Sequence, residues 1–143
     1  MGKSTKKPIP QKIPVAESKR WWKEAESDLD AAKNSSLAGN YNWSCFQAQQ
    51  AAEKALKAFL YSNGRTSIIT PALKVLVNES IKIDPNFAKI KSEAHFLDLI
   101  YISTRYPFGL ASDLAPSEFY EQGDAEKCLE YARLILDLVK TCM

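Results

Sequence analysis

The sequence has only one histidine and three cysteines among its 143 residues. Because Cys45, Cys128 and Cys142 are odd in number and widely spaced, they do not suggest the framework of a disulfide-stabilised domain. The single histidine argues against a Cys/His zinc site, and no Glu-x-x-His pair is present for a paired-metal site. We therefore expect neither a metal nor a cofactor.

Long apolar segments are also missing. No apolar run approaches the roughly 18 residues that cross a bilayer, and the first residues lack the hydrophobic segment of a signal peptide. We therefore expect a cytoplasmic protein without a membrane partner. The chain is 45% apolar with five glycines, a composition typical of a globular protein, and its length suits one domain with one core.

Acidic residues are absent from residues 1–14, which carry four lysines. The rest of the chain has 15 basic and 17 acidic side chains, so nonspecific nucleic-acid binding by its surface is not indicated. We divide the chain into a basic arm, residues 1–16, expected to be disordered, and a helical domain, residues 17–143. Electrostatic contact of the arm with phosphate is the alternative.

The apolar residues repeat with the period of helices, and no segment shows the alternation of a strand. Glycine follows the first two helices, Thr70-Pro71 and Asp84-Pro85 open the next two, and Asp124 caps the last. The predicted helices span residues 17–37, 42–62, 71–81 and 86–103, with a short turn at 116–122 and a final helix from 124 onward. The predicted fold is an all-α bundle.

Two of these helices carry more apolar residues than one face can hold. The additional residues are Phe96, Leu99 and Ile100 in the fourth helix, and Tyr131, Leu134 and Leu138 in the last. Such helices are either central in the bundle or form a surface between subunits. Since a small bundle has room for about one fully surrounded helix, we expect a homodimer.

Asp98 lies within the apolar stripe of the fourth helix, where a charge must be paired, hydrogen-bonded or protonated. The next cation along the chain is Arg105, near the point where Pro107 stops the helix. Arg105 is either a structural residue held through Asp98 or a planar fork open to a phosphate. Tyr106, beside it, either stacks on a base or covers the core.

Three further polar residues border apolar stripes. Gln49 and Glu53 lie one turn apart on the second helix, and Asp28 borders the stripe of the first. Gln49 and Glu53 either reach the cleft of Asp98 and Arg105 or lie half exposed at the edge of the stripe, and Asp28 is a candidate buried hydrogen-bond acceptor.

Several motifs together resemble the HEPN domain family (higher eukaryotes and prokaryotes nucleotide-binding), over about residues 18–141. They are Ala25-x-x-Asp28-Leu29-x-x-Ala32, the run from Cys45 to Ala58, Tyr101-x-x-Thr104-Arg105-Tyr106-Pro107, and Asp124-Ala125. The resemblance implies a four- to five-helix up-and-down bundle that usually forms a twofold dimer. Members in bacteria and archaea often accompany a minimal nucleotidyltransferase in toxin–antitoxin-like pairs.

Many HEPN proteins are metal-independent ribonucleases that use an arginine and a histidine a few residues later, brought together across the dimer. This sequence departs from that pattern, because no histidine follows Arg105. It resembles the branch with a Thr-Arg-Tyr-Pro loop, for which the resemblance implies nucleotide binding rather than cleavage.

In that interpretation, Arg105 and Thr104 would contact phosphate, Tyr106 would shape the pocket and Asp98 would orient the arginine. These roles are hypotheses from residue type and position. Lys54 and Lys57, expected on the exposed side of the second helix, would add positive charge at a dimer groove.

Three functions fit the sequence. The preferred one is a nucleotide- or RNA-binding and interaction module, without catalysis, that acts with a minimal nucleotidyltransferase. The alternatives are a metal-independent ribonuclease with an atypical site centred on Arg105, and a structural dimerisation module.

Overall fold

The computed structural model describes residues 12–143, so the first eleven residues of the predicted arm lie outside the described part. Within that part the chain forms six α-helices and no strand, which confirms the all-α bundle. The helices are α1 (Lys12–Leu37), α2 (Tyr41–Ser62), α3 (Leu73–Ile83), α4 (Lys91–Leu99), α5 (Pro116–Phe119) and α6 (Gln122–Cys142). Two 3-10 helices occupy Pro85–Ile90 and Pro107–Gly109. The predicted boundary at residue 17 lies inside α1.

The first two helices form a close antiparallel pair. Gly39 has a φ of +84°, the left-handed conformation that ends a helix and is favourable for glycine. The Ser44 hydroxyl donates to the Ala32 carbonyl (2.7 Å) near the turn, and the Ser18 hydroxyl donates to the Ala58 carbonyl (2.8 Å) at the far end. These bonds join a side chain of one helix to the backbone of the other, so they fix the pair in register.

α2 is the central helix of the bundle. It contacts all five other α-helices, and its buried face carries five alanines together with Cys45, Leu56, Phe59 and Leu60. Its Phe59 ring packs against that of Phe87, with centroids 4.4 Å apart. α2 is therefore the one surrounded helix that a small bundle can hold.

The third helix begins later than predicted, at Leu73. The Thr70 hydroxyl accepts only from the Ala72 backbone N–H, in a turn before the helix (3.1 Å). Instead, the two carboxylate oxygens of Asp98 accept from the backbone N–H groups of Leu73 and Lys74, each at 2.8 Å. The free N–H groups at a helix start need acceptors and favour negative charge, so a residue distant in sequence replaces the predicted cap.

The fourth predicted helix is divided. Asp84 caps it as predicted, by accepting from the Asn86 N–H (3.0 Å), but the first turns form a 3-10 helix and α4 ends at Leu99. Beyond Leu99, some backbone N–H groups donate to the carbonyl three residues earlier, as in a 3-10 helix. One example is the bond from the Tyr101 N–H to the Asp98 carbonyl (3.3 Å). The apolar period continues through these tighter turns, which is why the pattern predicted one continuous helix.

The last helix begins slightly earlier than predicted. α6 starts at Gln122, with Glu121 at the cap position and Asp124 inside the first turn. The Asp124 carboxylate still acts on the helix start, because its Oδ2 accepts from the Glu121 N–H (2.8 Å). The short turn predicted before α6 corresponds to α5, which ends at Phe119.

Part of the additional apolar surface is covered within the chain. Phe96 of α4 and Tyr131 of α6 pack edge to face with centroids 5.4 Å apart, and Lys127 Nζ lies 4.4 Å from the Phe96 centroid. Leu99 and Leu134 remain exposed. The homodimer stays a prediction, and these two leucines are the residues of the predicted rows that a partner would cover.

Replacing Asp98 by alanine removes both acceptors at the start of α3. Because a helix cap contributes about 0.5–2 kcal/mol and a hydrogen bond to a charged group about 1.5–3 kcal/mol, we expect the free energy of unfolding to fall by roughly 2 kcal/mol in urea titrations. Asp113→Ala, which removes an exposed loop carboxylate, should change it by less than about 0.5 kcal/mol. Equal losses in both variants would contradict the capping role.

Candidate phosphate-binding site

The loop of residues 104–107 is attached to the start of α2. The buried Asn42 amide donates to the Thr104 carbonyl (3.0 Å). The Tyr101 carbonyl accepts from both the Thr104 hydroxyl (3.2 Å) and Arg105 Nη2 (3.1 Å). Because Thr104 is fully buried, its hydroxyl supports the loop and does not face solvent, contrary to the predicted phosphate contact.

The Arg105 guanidinium lies against three aromatic rings. Its Cζ is 4.4 Å from the centroid of Phe46, 4.7 Å from that of Tyr101 and 5.1 Å from that of Tyr106. In the part of the chain that the structure describes, Arg105 forms no ion pair with a carboxylate. Its buried Nε has no hydrogen-bond partner among residues 12–143. Aromatic faces attract a cation without neutralising it, so this charge stays uncompensated.

The predicted contact between Asp98 and Arg105 is wrong. Both Asp98 oxygens are occupied by the first N–H groups of α3. The reason is the early end of α4, since the tighter turns after Leu99 carry Arg105 onto the ring of Phe46 in α2. Asp98 therefore joins α3 to α4, and Arg105 is held by rings.

Tyr106 and Phe108 extend the aromatic surface outward from Arg105. Tyr106 is 47% exposed and Phe108 is 81% exposed. Their ring centroids are 5.7 Å apart, with 30° between the ring planes. Phe108 is not among the predicted site residues, although a phenylalanine between Pro107 and Gly109, outside every apolar stripe, is a usable signal. Nothing in the sequence predicts the contact of Phe46 with Arg105, because Phe46 lies in a run of core-type residues.

The polar residues of α2 form a buried row and not a half-exposed edge. Gln49, Glu53 and Lys57 follow one another at one-turn spacing and are all buried. Lys57 Nζ lies 2.8 Å from Glu53 Oε2, and the Gln50 amide donates to Gln49 Oε1 (2.9 Å). The Gln49 amide in turn donates to a backbone carbonyl just before α3 (3.4 Å). These bonds give the buried polar groups of the row the hydrogen-bond partners that burial requires.

Lys54 and Lys57 do not lie on an exposed side of α2, so that prediction is wrong. Lys54 Nζ is 2.6 Å from Asp28 Oδ2 and 3.9 Å from a Glu24 oxygen. Lys57 Nζ, besides its pair with Glu53, lies 5.1 Å from the centroid of Trp21. The physical reason is that α1 covers this side of α2. Both charges are neutralised within the chain.

Other surfaces offer weaker candidates. A groove of about 630 Å³ along α1 is lined by Trp21 and by a mixture of acidic and basic side chains, so it has no marked charge. Across residues 12–143, no three His, Cys, Asp or Glu side chains come together as metal ligands. No helix in that range is long and apolar enough to span a membrane. Arg105, Tyr106 and Phe108 therefore form the leading candidate site.

Comparisons with known proteins agree on one family. A model of the HEPN domain matches residues 18–142. A Methanocaldococcus jannaschii protein named Putative toxin MJ1304 is 30% identical over 131 residues, which cover 86% of each chain. The crystal structure of TT1696 from Thermus thermophilus is 30% identical with a TM-score of 0.78, covering 88% of this chain and 98% of its own. ST0689, an archaeal HEPN homologue, is 35% identical with a TM-score of 0.72, covering 87% and 95%.

The pair of Asp28 and Lys54 generates a pH prediction. Burial raises the pKa of the Asp28 carboxyl above its ordinary value of 3.8, and Lys54 offsets this only in part. The folded protein therefore binds this proton more tightly than the unfolded chain, so the group's stabilising contribution is present below pH 3.8 and is lost as the pH rises through the raised pKa.

The Asp28→Asn variant has no carboxyl group at this position, so it does not lose this stabilising contribution as the pH rises. Its free energy of unfolding relative to the wild type should therefore rise with pH across the same window, measured by urea titrations at several pH values. Asp30→Asn, on the exposed face of α1, is the matched control. A relative stability of Asp28→Asn that stays constant or falls would contradict the prediction.

Proposed function

Because this chain belongs to the HEPN domain family, we propose that it is a nucleotide- or RNA-binding module of a toxin–antitoxin-like pair. In this proposal Arg105 contacts phosphate and the chain does not cleave its ligand. The observation that carries the proposal is a guanidinium held by three aromatic rings, with no carboxylate paired to it in the part of the chain that the structure describes. A planar cation with open donors suits the oxygen atoms of a phosphate.

A purely structural role accounts for only part of the Arg105 side chain. Such a role uses Nη2, which donates to the Tyr101 carbonyl. It leaves the buried Nε without an acceptor, a loss of about 1–3 kcal/mol for a buried donor. Because this Nε is closed to solvent, a bound phosphate would meet the half-buried side chain through the guanidinium nitrogens that solvent reaches. Tyr106, half exposed over the same cation, would form one wall of the pocket.

Binding without cleavage is supported by the position of the histidine. General acid–base catalysis needs a proton-transfer group within hydrogen-bond reach of the reacting atoms. No histidine follows Arg105, and His95 is exposed on α4, before the turns that carry the arginine. A ribonuclease centred on Arg105 would need another proton-transfer group.

The pairing with a minimal nucleotidyltransferase rests on the family and on the name of the M. jannaschii relative, which describes that protein as a toxin. The exposed leucines of α4 and α6, Leu99 and Leu134, provide apolar surface for a subunit contact, either with a second copy or with this partner.

Equilibrium titration of the purified protein with ATP and with a short RNA tests the role of Arg105. Arg105→Ala should weaken binding roughly 10- to 100-fold, because hydrogen bonds to a charged group contribute about 1.5–3 kcal/mol each. Arg105→Lys should bind with intermediate affinity, since it keeps the charge but loses the planar fork.

The matched control is Arg133→Ala, which removes one exposed arginine from α6 and should leave both affinities unchanged. If Arg105→Ala folds and binds both ligands as the wild type does, Arg105 is not the phosphate contact. RNA cleavage by the wild type that disappears in Arg105→Ala would establish the ribonuclease alternative.

A second prediction concerns the partner. We expect a gene for a small nucleotidyltransferase beside the gene for this chain, and its product to co-purify with the tagged full-length protein. If no such gene is adjacent, and the purified dimer unfolds at the same temperature with and without ATP, a structural dimerisation module is the better account.

A further inference from the structure

Phe108 is a large apolar side chain left in solvent beside an uncompensated charge. It is 81% exposed, and its only aromatic neighbour in the described residues is the half-exposed Tyr106. A single exposed apolar residue is common and needs no explanation by itself. Two further observations distinguish this one: the way its turn is fixed, and what lies next to it.

The turn that carries Phe108 is fixed to the interior. The Gly109 N–H donates to the Tyr106 carbonyl (3.2 Å), and the Leu110 N–H donates to the Pro107 carbonyl (2.9 Å). Gly109 lies so close to Ser103 that an added Cβ would be 2.9 Å from the Ser103 Cα. The ring is therefore displayed by a constrained turn, with no room for a side chain at Gly109.

Ser103 is itself anchored in the core. Its hydroxyl forms a short hydrogen bond with the Tyr120 hydroxyl, and both residues are buried. A ring that could fold back onto the protein would reduce its exposed area, but this turn is held from two sides. The fold thus fixes the backbone that carries Phe108, and from that position the ring is exposed and available for contact from solution.

The three groups form a row from charge to apolar ring. Arg105 lies 5.1 Å from the Tyr106 centroid, and Tyr106 lies 5.7 Å from the Phe108 centroid. A cation followed by exposed aromatic faces is the arrangement with which proteins bind single-stranded nucleic acid, phosphate on the cation and bases on the rings. A base inside a duplex is stacked on both faces and cannot offer one to Phe108.

We propose that Phe108, with Tyr106, is a stacking surface for an unpaired base, so that the ligand of the Arg105 site is a nucleoside phosphate and not a bare phosphate or a duplex. The assignment rests on the proposed function of Arg105. It covers a free nucleotide and the unpaired base of an RNA strand alike. A protein partner that covered the rings would also have to bring a carboxylate to the arginine, whereas a nucleotide carries the anion and the flat ring in one molecule, which is why the nucleotide is favoured.

Four probes separate the possibilities in binding titrations: ATP, inorganic tripolyphosphate, a short single-stranded RNA, and the same RNA annealed to its complement. Phe108→Ala should weaken binding of ATP and of the single strand roughly 5- to 100-fold, the range expected for the loss of one stacked base. Its affinity for tripolyphosphate should equal that of the wild type. Phe108→Trp should retain or strengthen binding of the base-containing probes.

Ile69→Ala is the control for the loss of an exposed apolar side chain, since Ile69 is 90% exposed in the loop before α3. It should change none of the affinities. Because Phe108 is exposed, its variants should unfold at the wild-type temperature, which a thermal scan checks. Tight binding of ATP would identify a free nucleotide as the ligand, and tight binding of only the single strand would identify RNA.

The outcomes distinguish this inference from the proposed function. If Arg105→Ala loses binding of every probe while Phe108→Ala changes none, the phosphate site stands and the stacking surface is overturned. Equal losses of ATP and tripolyphosphate in Phe108→Ala, or equal affinity for single strand and duplex, would also overturn it. If the wild type binds no probe, the phosphate site and the stacking surface are both wrong. Dimer or partner loss in Phe108→Ala without any effect on the probes would make the rings a protein-binding surface.

Discussion

The central constraint of this structure is that α2 lies at the centre of the bundle and is buried over most of its surface. Each of the other α-helices contacts it, so the polar side chains that these helices cover must find partners there. Glu53 and Lys57 pair along their own helix, Gln49 bonds to a carbonyl just before α3, and Lys54 pairs with Asp28 of α1. Burial makes an unpaired charge costly, so the same constraint that builds the bundle prevents these lysines from forming an open site.

Arg105 escapes this neutralisation because aromatic rings hold it. A carboxylate at the same place would fix the side chain equally well but would cancel its charge. Phe46 and Tyr101 hold the guanidinium by dispersion and by the negative faces of their rings, and these contacts leave the charge available to an anion. The capture of Asp98 by α3 belongs to the same arrangement, since it keeps the nearest expected carboxylate away from the arginine.

The sequence predicted the elements better than their junctions. The bundle and the cap at Asp84 follow from local periodicity and capping, which act over a few residues. Local patterns did not predict the start of α3 or the end of α4. A carboxylate distant in sequence decides where α3 starts, and a change in the spacing of the backbone hydrogen bonds decides where α4 ends. The lysines of α2 were misplaced for the same reason: helical period gives the direction of a side chain but not whether another helix lies there.

The rigidity of the loop after α4 has a consequence for binding. Ligand affinity is reduced by whatever ordering the site must undergo, and a site with one cation and two exposed rings has few contacts with which to offset that cost. Here the ordering is already achieved by the fold. Asn42 holds the Thr104 carbonyl, and the buried Tyr120 hydroxyl bonds to Ser103 under the turn. Such a small surface is effective only because its positions are set by buried hydrogen bonds on either side of it.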